Sequence, residues 1–323
     1  MTRFSPAVLD LDLPATAERL AAGLVDAVKK LRRRGVVVAV SGGVDSACVA
    51  ALAARALGPS RVHALLLPER DSSPESSELG EAVCRKFGLE WTRHDIAPIL
   101  AAAGCYRERE DAVRSVFPGF EPSMRWKMVL AGDRLATGKL PVWQVVVEVS
   151  PGRTETFRLS PEAYLRILAA TNFKQRTRKM LEYFHADRLV YAVAGTPNLV
   201  EYDQGFFVKL GDGAADVKPI ARLYKTQVFA LARHLGVPEE ITSREPTTDT
   251  YSLAQSQEEF YYSLDHRRMD LVLWAHDHGV SPEEAAPVLG LTPAHVKHAF
   301  EDVERKRRVA EYLHAAPVLL DVS

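Results

Sequence analysis

Cysteine is scarce in this chain: Cys48, Cys84 and Cys105 are the three in 323 residues, with no CxxC pair and no even set. That excludes a disulfide framework and makes a reducing cytoplasm the simplest setting. Cys48 and Cys84 fall in helical patterns, where a thiol packs as a small apolar group. Long apolar runs are missing too. No segment approaches membrane-spanning length, and no charged n-region with an apolar run opens the chain. Net charge is nearly nil: 41 basic residues against 42 acidic leave −1, which argues against a general nucleic-acid binder. Neither a Ser-His-Asp set nor a Cys/His pair supports a covalent nucleophile. What remains is an ordinary globular composition, 47% hydrophobic and 26% charged, with room for one large α/β domain carrying an insertion or two small domains.

The most informative segment present is Ser41-Gly42-Gly43-Val44-Asp45-Ser46. Residues 35–40 before it are apolar and β-branched, which predicts a buried parallel strand. Residues 47–57 after it are alanine-rich and predict a helix, closed by Gly58-Pro59. A strand, a tight Ser/Gly turn and a helix N-terminus make an anion site, with backbone N–H groups and the helix dipole facing the ligand. Ser41 and Ser46 add hydroxyl donors, and Asp45 can hold a divalent cation that bridges phosphate oxygens. The turn is neither the G-x-x-x-x-G-K-[ST] loop nor the dinucleotide-binding G-x-G-x-x-G. Its guest is expected to be a nucleotide phosphate or pyrophosphate.

Periodicity then gives a helix over 15–34 with a basic end, a strand over 61–67 stopped by Pro68, and a loop and cap over 71–77. A helix over 78–87 and a strand over 89–96 follow. This alternation predicts a doubly wound parallel sheet, with the Ser41–Ser46 turn at its carboxyl edge. Between about 105 and 170 the rhythm breaks. Residues 143–149 and 154–159 flank Ser150-Pro151-Gly152-Arg153 and read as a β-hairpin inside an insertion. The sheet pattern returns at 188–196.

Glu201 follows that later strand, where its carboxylate can complete a magnesium site with Asp45. A Gly-Asp-Gly turn places Lys209, Asp212 and Asp216 near one another in sequence, a pattern that alone describes a solvated turn as well as a site. Lys225 starts a helix against its dipole, an oddity removed if the lysine faces polyphosphate.

Taken in order, S-G-G-V-D-S, G-T-x-N-x-x-E, G-F-F-x-K-x-G-D-G-A-A-D, P-I, L-Y-K-T-Q-V and L-A-x-H-L-G-V-P resemble the NAD synthase family, the ammonia-dependent core of the ATP pyrophosphatase superfamily. Asn172-Phe173-Lys174-Gln175-Arg176-Thr177-Arg178 is similar to the family's N-x-K-A-R-x-R helix, with Gln175 in place of alanine. The resemblance covers residues 15–100 and 170–250. It implies a core formed by 1–104 and 171–250, a substrate-recognition insertion at 105–170 and a helical extension at 251–323. It also implies a ligase that adenylates a carboxylate with ATP and transfers ammonia to it. Asp45 and Lys225 would be catalytic, and Asp45 and Glu201 would hold Mg2+. Ser41, Gly42, Gly43, Val44, Ser46, Leu67, Arg178, Thr196 and Thr247 would join Asp45 and Lys225 around ATP. Arg176, Lys209, Asp212 and Asp216 would contact the acid. A homodimer is implied, as is ammonia that is free or comes from a separate glutaminase.

Three departures open an alternative, an amide synthetase for a different carboxylate. Asn198-Leu199-Val200-Glu201 lacks the family's lysine, residues 255–262 replace an acidic segment, and the insertion is long. A superfamily thiolase acting on RNA would need cysteine pairs. Residues 281–296 have helix-turn-helix spacing, which raises a nucleotide-sensing DNA-binding regulator. Pro287 is expected to interrupt its first helix, and only residues 305–308 are strongly basic, so a helical cap on the core is preferred. His276-Asp277-His278 sits on adjacent helical positions that do not converge on a metal.

Overall fold

A computed structural model describes residues 4–131, 142–245, 250–253, 261 and 264–321. Helix α1 (Leu13–Lys30) starts where the Asp12 carboxylate accepts the Ala15 N–H at 3.0 Å. Lys29 and Lys30 occupy its last turn, but Arg32 turns left-handed, so the helix ends before residue 34. Then come β1 (Val36–Ala39), α2 (Val44–Leu57), β2 (Val62–Leu66), α3 (Pro74–Phe87) and β3 (Glu90–Arg93). Helix α3 begins four residues before the expected position, because Pro74 fits the first helical turn, where its missing N–H costs nothing.

Two helices, α4 (Ala97–Ala102) and α5 (Cys105–Arg114), lead to a separate antiparallel sheet of β4 (Trp126–Ala131), β5 (Val142–Ser150) and β6 (Arg153–Arg158). The expected hairpin is β5–β6. Strand β4 was not anticipated, since the Gly/Pro-rich stretch before it conceals an alternation that buries Trp126 and Met128. Helix α6 (Pro161–Leu189) then runs 29 residues, continuous through position 170. It absorbs Arg188 and Leu189, and Val190 turns left-handed, so the expected strand over 188–196 shortens to β7 (Ala192–Ala194). Among the described residues that follow, six helices are α7 (Leu199–Gln204), α8 (Lys225–His234), α9 (Glu239–Thr242), α10 (His266–Asp277), α11 (Pro282–Leu289) and α12 (Pro293–His314).

The main sheet is parallel, in the order β3-β2-β1-β7. Strand order reverses at β1, so its carboxyl end is the switch point where such sheets bind ligands. Val36 and Val38 face one core with α1 and α2, while Val37 joins Leu65, Val193 and Ala186 in another. Burial on both faces explains the unbroken β-branched run. Helices α10, α11 and α12 form their own cluster around Val272, Leu273, Leu289, Val296 and Val303. The helix-turn-helix spacing is real, with Gly290 left-handed between α11 and α12, but Pro287 sits inside α11 without ending it. Among the described residues no helix is long and apolar enough to cross a membrane.

Candidate active site

At the end of β1 the chain turns through Gly42, whose φ is +81°; a Cβ there would lie 2.4 Å from the Ser76 carbonyl oxygen. A close approach in left-handed backbone explains glycine at this point. The serine hydroxyls stiffen the turn: Ser46 Oγ donates to the Gly43 carbonyl at 3.0 Å, accepts the Ser41 N–H at 3.1 Å and lies 3.1 Å from Ser41 Oγ. Gly43 caps α2 without a side chain, which leaves the first turn of that helix open to an anion.

Asp45, in that first turn, meets groups from two distant helices, α7 and α8. Asn198 donates its side-chain amide to Asp45 Oδ1 at 3.1 Å. The Lys225 ammonium is paired with Asp45 Oδ2 and lies 3.9 Å from Glu201 Oε1. Burial and the neighbouring Asp45 push Glu201 up to about 7. Burial works against the charge on Lys225, but Asp45 and then Glu201 outweigh it and raise its pKa. The ammonium is therefore present at neutral pH. Asn198 and Glu201 also cap α7 reciprocally, at 3.1 and 3.2 Å, so one capping box fixes both partners. That N-x-x-E signal is local and readable, although sequence reasoning gave Asn198 no role. Asp270 was missed altogether. Its buried carboxylate accepts the N–H groups of Lys225 and Thr226 at 3.2 and 2.6 Å, from 45 and 44 positions away, and no local pattern announces it.

A cavity of about 480 Å³ joins this cluster to the rest of the carboxyl edge. Ser41, Gly42, Gly43, Val44, Asp45, Ser46, Leu67, Arg178, Thr196, Glu201, Asp212 and Lys225 all line it. Arg178 donates to the Leu67 carbonyl at 3.1 Å, which ties α6 to the end of β2. Met128, Trp143 and Tyr164 bring the inserted region into the same wall. Three expected residues stand outside the lining. Lys209 donates to the Tyr312 and Ala315 carbonyls at 2.7 and 3.0 Å, closing the C-terminal end of α12. Arg176 donates to the Lys209 carbonyl at 3.1 Å, and Asp216 accepts the Val193 N–H at 2.7 Å. The Gly-Asp-Gly turn thus separates its charged residues: Asp212 faces the cavity, where burial raises its pKa, and Lys209 turns away. Thr247 lies outside the described residues, as does the segment 255–262 apart from Tyr261.

Behind the β2 edge is a buried ion cluster that the sequence did not announce. Lys174 donates to Glu69 at 2.7 Å and to Asp71 at 2.9 Å, and Arg109 of α5 pairs with Asp71. Burial opposes charge on Asp71, yet Lys174 and Arg109 hold its carboxyl at about 2. The cluster joins the inserted region to the loop after β2. No group of three or more His, Cys, Asp or Glu suited to a metal occurs among the described residues.

A doubly wound sheet with a Ser-Gly-Gly-x-Asp-Ser turn at its switch point defines an ATP-pyrophosphatase type of α/β nucleotide enzyme. The sequence pattern of the NAD synthase family matches residues 16–121 and 143–310, and the chain belongs to that family. Membership makes it an AMP-forming, ATP-dependent carbon–nitrogen ligase. It is 51% identical over 317 residues to the NH(3)-dependent NAD(+) synthetase of Mesorhizobium japonicum, across 97% of this chain and 98% of that one. The synthetase of the same name from Thermotoga maritima is 37% identical over 256 residues, 79% of this chain and 85% of the relative. In fold it is similar to the NH3-dependent NAD synthetase of Campylobacter jejuni, with TM-score 0.62 and 22% identity over 96% of this chain and all of that one. NMN synthetase of Francisella tularensis gives TM-score 0.63 at 21% identity, over 97% and 100%. With half the residues shared along nearly the whole chain, neither a different carboxylate nor a DNA-binding regulator is favoured.

Proposed function

We propose that this enzyme converts nicotinic acid adenine dinucleotide, ATP and ammonia into NAD, AMP and pyrophosphate. The observation that carries the reading is the meeting of Asp45, Glu201 and Lys225 beside the phosphate turn, in a chain whose Mesorhizobium relative is named for this synthesis. A carboxylate is a poor acyl donor, so its oxygen attacks the α-phosphorus of ATP and pyrophosphate departs. The N–H groups of the Ser41–Ser46 turn and the Lys225 ammonium face the charge that builds on pyrophosphate. Ammonia then attacks the acyl carbon, and AMP leaves with the former carboxylate oxygen. Positioning and fixed charge do the work, without a protein nucleophile.

Asp45 and Glu201 suit a magnesium ion, because Mg2+ needs only one or two carboxylates when phosphates and waters fill its other positions. Bound there, it would neutralise charge on the polyphosphate. ATP takes the side formed by Ser41–Ser46, Leu67, Arg178 and Thr196, with Thr247 assigned to it by family resemblance alone. Asp212 serves the acid. The insertion, residues 105–170, acts as the recognition element, since it supplies Met128, Trp143 and Tyr164 to the cavity. Leu165, Met180 and Phe184 are exposed apolar residues on α6 that suit a homodimer contact. Arg176, Lys209 and Asp216 are assigned to the acid by family resemblance alone. Free thiols at Cys48, Cys84 and Cys105 suit a cytoplasmic enzyme, with ammonia free or supplied by a separate glutaminase. Incubation with ATP, magnesium, ammonium and the dinucleotide acid is expected to give NAD and AMP in equal amounts. Intact ATP binding without NAD would contradict the proposal.

A further inference from the structure

Lys225 is the first residue of α8, the end of a helix where the dipole disfavours a cation, and no acidic residue stands in that first turn. The compensating charge comes from another part of the chain. Asp270 of α10 is fully buried. One of its oxygens accepts the Lys225 N–H at 3.2 Å; the other accepts the Thr226 N–H at 2.6 Å and is also paired with the Thr226 hydroxyl. Two orphan donors of the helix end are satisfied by one carboxylate. A buried carboxylate is costly unless hydrogen-bonded, and these three donors are what allow it there. Around it, Met269, Leu271, Val272 and Leu273 are buried in the helical cluster, so the position of Asp270 is set by packing.

We propose that Asp270 is a positioning residue for the adenylation step, holding the first turn of α8 so that the Lys225 ammonium points at Asp45, Glu201 and the phosphate turn. It touches no reacting atom and acts through Lys225, so the inference rests on the role given to Lys225 above. It makes the C-terminal extension a working part of the site, since α10 supplies the carboxylate.

The test uses the full-length chain with magnesium ATP, ammonium and nicotinic acid adenine dinucleotide. Asp270→Asn keeps the shape but loses the charge and one acceptor. Its kcat is expected to fall about 10- to 50-fold, with KM for ATP unchanged within about threefold. Combined with Lys225→Ala, it is expected to lower the residual rate less than about twofold, because residues acting as a unit are not additive. A merely structural role would give equal losses in both backgrounds. Wild-type kcat in Asp270→Asn, or the same loss on the Lys225→Ala background, overturns the proposal. Wild-type kcat in Lys225→Ala overturns the role of Lys225 as well, so the two failures are distinct. Should Asp270→Asn not fold, Thr226→Val removes only one donor to the carboxylate. A loss in kcat of about two- to fivefold there supports the proposal, and an unchanged kcat overturns it.

Discussion

Asn198, buried at the start of α7, donates its side-chain amide to Asp45 at 3.1 Å across 153 positions of sequence. The same side chain accepts the Glu201 N–H through its carbonyl oxygen. One residue therefore orients both acids assigned to magnesium. Asn198→Ala is expected to cost about 1 kcal/mol as a lost cap and to lower kcat about tenfold. Asn198→Asp keeps the cap but sets a carboxylate against Asp45, so it should preserve more of the melting temperature than of the activity. Melting curves and steady-state rates on the two variants check this; equal activity in both would contradict it.

Removing the cation is a harsher change. Lys225→Met is expected to reduce pyrophosphate release by about 100- to 1000-fold. It also leaves Asp45 without its ammonium partner, a change that costs about 3–5 kcal/mol where both charges are buried. Asp45 keeps some exposure and the Asn198 amide, so the lower end of that range is expected by thermal melting.

The inserted region is expected to act on binding. Trp143 stacks on Tyr164 with ring centroids 5.0 Å apart, and both rings line the cavity. Trp143→Ala should raise KM for the dinucleotide acid about 5- to 10-fold, with kcat little changed, since an aromatic wall contributes to substrate and transition state alike. Steady-state kinetics with ATP saturating separates the two constants.

A histidine cluster gives the protein an acid limit unrelated to catalysis. His185 accepts from Arg188 at Nδ1 and lies 2.9 Å from His94 through the ring Nε2 atoms, with His63 stacked beside it. Burial first, then His63, His94 and Arg188, lowers its pKa from 6.5 to about 4. Between those values the unfolded chain binds a proton that the folded chain refuses. Stability is therefore complete above about 6.5 and is lost as pH falls towards 4, at up to ~1.4 kcal/mol per pH unit. The melting temperature is expected to drop from pH 7.5 to 5, and His185→Gln should flatten that drop.

Local chemistry explains which features were legible. The phosphate turn could be read because a strand, a glycine turn and a helix start are contiguous, and its position at the switch point follows from the βαβ alternation. The hairpin was legible from its Pro-Gly turn, whereas β4, which pairs with β5, follows a Gly/Pro-rich stretch that conceals its alternation. Lys225 stood out by conflicting with its helix dipole. Asp270, which offsets that conflict, is placed by the packing of α10, and nothing near position 270 reveals it. Sequence proximity also misled: Lys209 and Asp212 are three positions apart, yet one closes α12 and the other lines the cavity.

In the proposed reaction the acid attacks the α-phosphate of ATP before ammonia arrives. Nicotinic acid adenine dinucleotide labelled with oxygen-18 in its carboxylate tests it directly, by mass spectrometry of the products after turnover with ATP and ammonium. One labelled oxygen in AMP, with none in pyrophosphate, is the predicted result. Unlabelled AMP formed alongside NAD would contradict it.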